Sequence, residues 1–167
     1  LYITAEDLKA HPEFQAVGGS RGKFCTSNPE LVRLFAERVV EWLDKHPHSR
    51  SAPISPEDGG DFCRCPKCLA LVGKDWHGKP SYTPVILKFY NDVGKIVGEK
   101  YPERFLGGYV YYNYMYPPAD PVRMEPNVYL WLAPLPYYGW GLAKPLLRDE
   151  LPKLVAEQRL GQPPAVV

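Results

Sequence analysis

The sequence has no surplus of charge of either sign and no long apolar run. Its 167 residues include 20 lysines and arginines and 19 acidic residues, which gives a net charge of +1. No basic stripe or block of like charge occurs, so we expect neither nucleic acid nor a membrane as a partner. No run reaches the roughly 20 apolar residues of a membrane span, and the first residues lack the layout of a signal peptide. We therefore expect a soluble chain, or the mature part of an exported one.

Several catalytic motifs are also missing. The stretch GGSRGK lacks the spacing of a phosphate-binding loop, and no G-x-S-x-G turn offers a serine nucleophile. The four histidines are scattered, with no H-x-x-x-H spacing, and no internal repeat is present. What the chain does have is 45% apolar residues, 19 scattered prolines and 12 tyrosines. This composition predicts one globular domain over residues 1–167, with many loops of defined shape.

The apolar periodicity predicts alternating helices and strands. The clearest helix lies within CTSNPELVRLFAERVVEWLDKHP, where Ser27 and Glu30 have capping-box spacing and Pro29 suits the first turn. A strand in SRSAPIS ending at Pro56 comes next, and then a second helix in SYTPVILKFYNDVGKIVGEKYP. Two further strands are predicted in RFLGGYVYYNYMYPP and NVYLWLAPLP, and a last helix in AKPLLRDELPKLVAEQRL.

This order of elements predicts an α/β fold with a parallel sheet, of the (β/α)8 TIM-barrel type. Loops at the carboxyl ends of the strands would then carry the function. A complete barrel needs about 250 residues, and only three strands can be placed here. The chain is therefore expected to be a smaller α/β sheet or part of a barrel.

The four cysteines are arranged as C-x37-C-x-C-x2-C, at Cys25, Cys63, Cys65 and Cys68. A tight turn with this spacing can direct three sulfurs at one point, and Cys25 would close a tetrahedral zinc shell. Four sulfur ligands would make the site structural, since no position remains for water or substrate. Disulfides and unpaired thiols are the alternatives, and an exported protein would favour disulfides.

Two adjacent acids, Glu57 and Asp58, directly follow the first strand, where α/β enzymes place catalytic groups. A carboxylic acid there could protonate a glycosidic oxygen while a second carboxylate acted as nucleophile or base. Adjacent residues of an extended chain point to opposite faces, so at most one of the two should enter a pocket. The alternative is that SPEDGG is an ordinary turn rich in acid and glycine.

Aromatic residues accumulate where the next two strands are predicted to end. Tyr112, Asn113 and Tyr114 could offer rings and an amide to a sugar, and Trp131 continues the pattern on the following strand. The rings at Tyr137, Tyr138 and Trp140 extend it further. For any single ring, a place in an aromatic core is an equally good interpretation.

Together, FCTSNPE, ISPEDGGDFCRCPKC, the stretch from FYNDVGKIVGEKYP to YNYMYPP and EPNVYLWLAP resemble the bacterial domain of unknown function 4838 over roughly Gly19 to Pro134. That resemblance implies a protein related to glycoside hydrolases of the α-glucuronidase and hexosaminidase kind, often exported and hence secreted or periplasmic. The family's serine-proline-x-aspartate maps onto Ser55, Pro56 and Asp58, which favours Asp58 over Glu57. The cysteines also resemble the structural zinc cluster of some barrel β-galactosidases.

The resemblance implies a glycoside-hydrolase-like protein acting on a polysaccharide or oligosaccharide, with Asp58 as the acid/base candidate and Glu57 as its alternate. The missing barrel strands would come from other parts of a longer chain or from a homo-oligomer. Two alternatives stay open: a non-catalytic carbohydrate-binding or structural domain with a zinc or disulfide clip, and a redox or zinc-dependent interaction module.

Overall fold

The computed structural model describes residues 2–19 and 22–133, so the predicted C-terminal helix at 143–160 lies outside the described residues. The helices are α1 (Ala5–Ala10), α2 (Pro29–Lys45), α3 (Pro66–Leu71) and α4 (Thr83–Lys100), with single 3-10 turns at Pro12–Phe14 and Tyr112–Tyr114. The strands are β1 (Ser51–Pro53), β2 (Gly73–Lys74), β3 (Pro80–Ser81), β4 (Phe105–Val110) and β5 (Val128–Leu132). No helix in the described ranges is long and apolar enough to cross a membrane.

Helix α2 confirms the clearest prediction, with its cap shifted by one residue. The side chain of Asn28 accepts hydrogen bonds from the backbone N–H groups of Glu30 (3.0 Å) and Leu31 (3.2 Å), and Pro29 begins the helix. This cap satisfies two of the four N–H groups that a helix start leaves open. Ser27 is therefore not the cap, and its hydroxyl lies among the cysteines instead.

The main sheet has three parallel strands in the order β1-β4-β5. Ser51 pairs with Phe105, and Leu106 pairs with Val128. Helix α4 connects β1 to β4, as a crossover between parallel strands requires, whereas a loop with one 3-10 turn connects β4 to β5. The structure thus confirms a mixed α/β fold with a parallel sheet.

The core lies on the face of the sheet that packs against α2 and α4. Helix α4 packs closely against the sheet at Gly108, because a Cβ atom there would lie 2.4 Å from the ring of Tyr90. The hydroxyl of Tyr90, which is fully buried, donates to the backbone oxygen of Tyr109 at 2.8 Å. On α2, the ring of Phe35 meets that of Phe89 on α4 edge-on at 5.0 Å.

The opposite face of the sheet carries exposed aromatic rings. Phe105, Tyr109 and Trp131 are 41%, 45% and 56% exposed. The rings form two edge-on pairs, Phe105 with Tyr129 (4.7 Å) near the start of β4 and Tyr109 with Trp131 (5.8 Å) near its end.

The strand predicted within RFLGGYVYYNYMYPP ends earlier than its aromatic pattern indicates. Strand β4 stops at Val110, and Tyr112 takes a positive φ of 51°. A non-glycine residue in that region reverses the chain locally, which ends a strand. The predicted strand therefore does not extend through the aromatic residues at Tyr112 to Tyr114, which form a 3-10 turn.

Candidate functional site

The four cysteines converge although 37 residues separate Cys25 from the other three. Their sulfur atoms all lie within 4.8 Å of one another, and Cys25 Sγ is 3.7 Å from the Sγ atoms of both Cys65 and Cys68. Cys65 caps α3, whose first residue is Pro66, and the helical turn brings Cys68 beside it. All four are free thiols, and only Cys65 is not fully buried.

Hydrogen bonds surround this cluster. The backbone N–H of Val17 donates to Cys63 Sγ at 3.3 Å, and the Ser27 hydroxyl lies 3.0 Å from Cys68 Sγ. The hydrogen bond from Cys68 lowers the pKa of Cys25 to about 4, and the same contact raises the pKa of Cys68. Burial raises the pKa of Cys63. Neighbouring thiolates repel one another, so protons stay on part of the cluster unless a cation balances the charge.

The cluster fits a metal ion in geometry and in chemistry. A tetrahedral zinc with bonds of about 2.3 Å places its sulfur ligands about 3.8 Å apart, and the two separations of 3.7 Å match that value. The Val17 N–H and the Ser27 hydroxyl surround these buried or half-buried thiols, and hydrogen bonds of this kind orient metal ligands. These residues can therefore hold a metal ion.

The two acids lie on the loop that follows β1, and they face different surroundings. Glu57 is half-buried and lines a cavity of about 480 Å³ together with Pro53, Ser55 and Tyr109. Pro53, Ser55 and Glu57 alternate along an extended chain, which brings them to the same face. Asp58 is exposed and is not among the residues that line this cavity. Only one of the adjacent acids enters the cavity.

Asp58 is held by two hydrogen bonds. The hydroxyl of Tyr111, the first residue after β4, donates to Asp58 Oδ1, and the backbone N–H of Gly59 donates to the same oxygen at 2.8 Å. The hydrogen bond from Tyr111 lowers the pKa of Asp58, and that from Gly59 adds to the effect. Asp58 is therefore a carboxylate at neutral pH.

The buried ammonium group of Lys23 binds the backbone of this loop, a role that the sequence did not predict. Its side chain is 7% exposed, and Nζ donates to the backbone oxygens of Glu57 (2.5 Å) and Asp58. A third group, Asp61 Oδ1, is 3.9 Å from Nζ. Burial lowers the pKa of Lys23, and the carbonyls compensate part of the lost hydration. In the sequence, the glycines near Lys23 indicate an unusual backbone there. They do not indicate that the Lys23 side chain binds the loop after β1.

The predicted aromatic residues separate into exposed and buried groups. Tyr112 is 63% exposed and covers Gly60, where a Cβ atom would lie 2.4 Å from its ring. The amide of Asn113 donates to the oxygen of Gly60 at 2.7 Å. Tyr114 is 1% exposed and packs edge-on against Phe62 at 5.2 Å, so its ring lies in the core rather than at the surface.

Trp131 lies on the exposed face of the sheet beside Tyr109. The residues at 137, 138 and 140 lie outside the described part of the chain. The structure therefore brings Tyr112 and Asn113 to the loop after β1 that carries Glu57 and Asp58, which we call the acid loop. It keeps Trp131 at the surface and buries Tyr114. Tyr109 and Tyr111, which were not among the predicted site residues, also meet that loop.

The fold and site define a mixed α/β protein with a parallel sheet, an acid loop after its first strand and a four-cysteine cluster that can hold a metal ion. The model of a domain of unknown function, DUF4838, matches residues 3–148, and the chain therefore belongs to that family. No curated protein and no solved structure matches the chain.

Proposed function

We propose that the chain is part of a (β/α)8 barrel of a glycoside-hydrolase-like protein that acts on glycosidic bonds of a polysaccharide or oligosaccharide. One observation carries the proposal: two carboxylic acids follow β1, one facing a cavity and the other held as an anion. Glycosidases need two carboxyl groups in different protonation states. The pKa values of two such groups differ when their environments differ.

The sheet supports the barrel part of the proposal. Parallel sheets are normally covered on both faces, yet among the described residues the helices cover one face and aromatic rings lie exposed on the other. A barrel has this arrangement, with helices outside and side chains inside. Further strands would come from other parts of a longer chain or from a homo-oligomer.

The surroundings of Asp58 and Glu57 suggest a different catalytic role for each. Asp58, whose pKa lies below its usual range because of Tyr111 and Gly59, suits a nucleophile or a base, since a general acid must hold a proton. Glu57 lines the cavity and would supply the second carboxyl group. Tyr112, Asn113 and Trp131 would line the sugar site, because flat rings and an amide suit sugar binding. Tyr114 would support them from the core.

Hydrolysis of a panel of activated aryl glycosides tests this proposal. Asp58→Asn and Glu57→Gln should each lower turnover by about 10² to 10⁴-fold, with thermal stability close to that of the wild type. Asp92→Asn is the matched control, because Asp92 is an exposed carboxylate on α4 that pairs only with Lys88 in the described contacts. Equal activity in all three variants would show that neither loop acid takes part.

The cysteine cluster is proposed to bind zinc as a structural ion. The support is the sulfur separation of 3.7 Å, which a tetrahedral site requires. Four thiolates would complete the shell, so the ion would stabilise the segment around Cys25 and the loop around Cys63 to Cys68 and would not bind substrate. One zinc per chain is the expected result of metal analysis. Zinc-bound thiolates would also resist oxidation in a secreted or periplasmic protein.

A non-catalytic carbohydrate-binding domain is the second candidate. It is favoured by the exposure of Asp58, which is hydrogen-bonded as an anion at the surface, whereas catalytic carboxyl groups are usually desolvated. In that case the wild type hydrolyses none of the glycosides. Oligosaccharide binding would persist in Asp58→Asn and weaken in Trp131→Ala.

A further inference from the structure

Tyr111 and Asp58 meet because of the strand order. Strands β1 and β4 are parallel neighbours, so the loop after β1 and the first residue after β4 emerge at the same edge of the sheet. Tyr111 Oη there donates to Asp58 Oδ1 and accepts from the backbone N–H of Gly59 at 3.0 Å. Gly59 also donates to Asp58 Oδ1. The three groups form a closed ring of hydrogen bonds.

The phenol is fixed as well. Tyr111 is half-buried, and its ring meets that of Tyr114 edge-on at 5.0 Å. Burial raises the pKa of Tyr111, and the hydrogen bond to Asp58 raises it further. The shared proton therefore stays on the phenol, which excludes a tyrosinate nucleophile at neutral pH. A rigid O–H donor is left facing the carboxylate.

We propose that Tyr111 is the positioning residue of Asp58, holding its carboxylate in one orientation and in the anionic form at the end of the sheet. The catalytic consequence rests on the proposed function, since it matters for turnover only if Asp58 reacts as a base or nucleophile. The positioning itself does not depend on any substrate. A preorganised donor of this kind has no need to reorient during a reaction.

Other charged and titratable groups lie near Tyr111 and Asp58 in three places. Lys23 lies below the loop and supplies a positive charge close to the carboxylate. Tyr114 and Tyr90 lie on the core side, next to Tyr111. Glu57 and Asp61 are on the same loop as Asp58. Removing the Tyr111 hydroxyl also removes its hydrogen bond with Tyr114, but Lys23 and Glu57 do not bond that hydroxyl in the described contacts. Tyr114 has no hydrogen bond to Asp58 among those contacts, so a change in the titration of Asp58 is attributed to the lost donor.

The test is the pH titration of the Asp58 side-chain carboxyl carbon by NMR in Tyr111→Phe, which removes one oxygen atom. The midpoint should shift upward, because the hydrogen bond that lowers the pKa is lost. Tyr109→Phe is the matched control, a tyrosine two residues earlier, on β4, whose hydroxyl has no hydrogen bond to Asp58 among the described contacts. It should leave the midpoint unchanged. An unchanged midpoint in Tyr111→Phe would overturn the proposal.

A reciprocal measurement covers the case in which Tyr111→Phe does not fold. In Asp58→Asn, the phenol of Tyr111 should titrate at lower pH than in the wild type, because the anion that raised its pKa is gone. An unchanged phenol titration would equally refute the pairing. If the wild type is active, Tyr111→Phe should lower kcat/KM about tenfold, as expected for one lost hydrogen bond to a charged group. An inactive wild type would contradict the proposed hydrolase function. The titrations of Asp58 and Tyr111 would still test whether Tyr111 positions Asp58.

Discussion

Replacing Cys68 with serine is expected to remove the metal ion and a large share of the stability that it provides. Cys68 is fully buried, and its sulfur lies 3.7 Å from that of Cys25. All four sulfurs lie within 4.8 Å of one another, and two of the separations, at 3.7 Å, already match a tetrahedral zinc shell. Binding therefore requires little rearrangement of the folded chain, and most of the binding free energy should stabilise the native state.

The magnitude follows from mass action. At free zinc 100-fold above the dissociation constant, a ligand that binds only the folded state stabilises it by about 2.7 kcal/mol. A chain of this size gains about 2–4 °C in Tm per kcal/mol. We therefore expect chelation to lower the Tm of the wild type by about 5–11 °C, whereas Cys68→Ser should show no comparable response to chelator.

Metal analysis and thermal unfolding with and without chelator make the measurement. Cobalt substitution adds a spectroscopic check on four sulfur ligands. Ser27→Ala is the matched control, because its hydroxyl lies 3.0 Å from Cys68 Sγ but the four thiols remain in place. It should keep one equivalent of zinc. Purified protein that holds no zinc and has four titratable thiols, or two disulfides, would refute the reasoning.

Three further changes test the packing around the site. Gly108→Ala should destabilise the fold by about 1–3 kcal/mol in denaturant titration, because the new Cβ would lie 2.4 Å from the buried ring of Tyr90. Asp7→Asn should cost about 2–3 kcal/mol at neutral pH, since the Asp7 carboxylate accepts from the backbone N–H of Thr4, the N-cap of α1, and accepts two hydrogen bonds from Arg38. Gly60→Ala would displace the exposed ring of Tyr112 and press on Asn113 Oδ1, which would lie 2.7 Å from the new Cβ, so it should cost about 1–2 kcal/mol and speed amide exchange of the acid loop.

Two of these predictions have internal controls. Gly107 precedes Gly108 on the same strand, but a Cβ there would meet the nearest ring atom at 3.5 Å, an ordinary contact. Gly107→Ala should therefore be neutral or slightly stabilising, and equal losses in the two variants would contradict the close approach of α4. The pairing with Arg38 lowers the pKa of Asp7, so its contribution is present above about pH 4 and lost in more acidic solution. The deficit of Asp7→Asn should shrink as the pH falls below that value.

The sequence was sufficient to predict the long helices and the convergence of the cysteines. Helix α2 has an apolar stripe at helical spacing and a proline in its first turn, and both are local signals. The cysteine cluster follows from the short spacing of Cys63, Cys65 and Cys68, which limits where a fourth ligand can lie. The parallel order of β1 and β4 follows from the helix between them.

The contacts around Asp58 could not be predicted, because they join positions far apart in the chain. Lys23 is 34 residues from Glu57, and its ammonium reaches a backbone oxygen there. Tyr111 is 53 residues from Asp58. The burial of Tyr114 depends on the chain reversal at Tyr112, where a tyrosine takes a conformation that sequence patterns rarely indicate. Period-two alternation therefore cannot be extended from β4 through the turn at Tyr112.

The exposed ring of Trp131 gives the protein a built-in optical reporter. Tryptophan emission depends on contact with water, and this indole is 56% exposed, next to the carboxyl end of the sheet. Anything that covers that face, whether a neighbouring segment or a bound sugar, would shift the emission to shorter wavelength. Because Tyr109 contacts the ring at its edge, the emission of this indole reports on the end of the sheet. The chain has three other tryptophans, at 42, 76 and 140, so comparison with Trp131→Phe isolates this signal. Association at this face can then be followed without a label and without a known substrate.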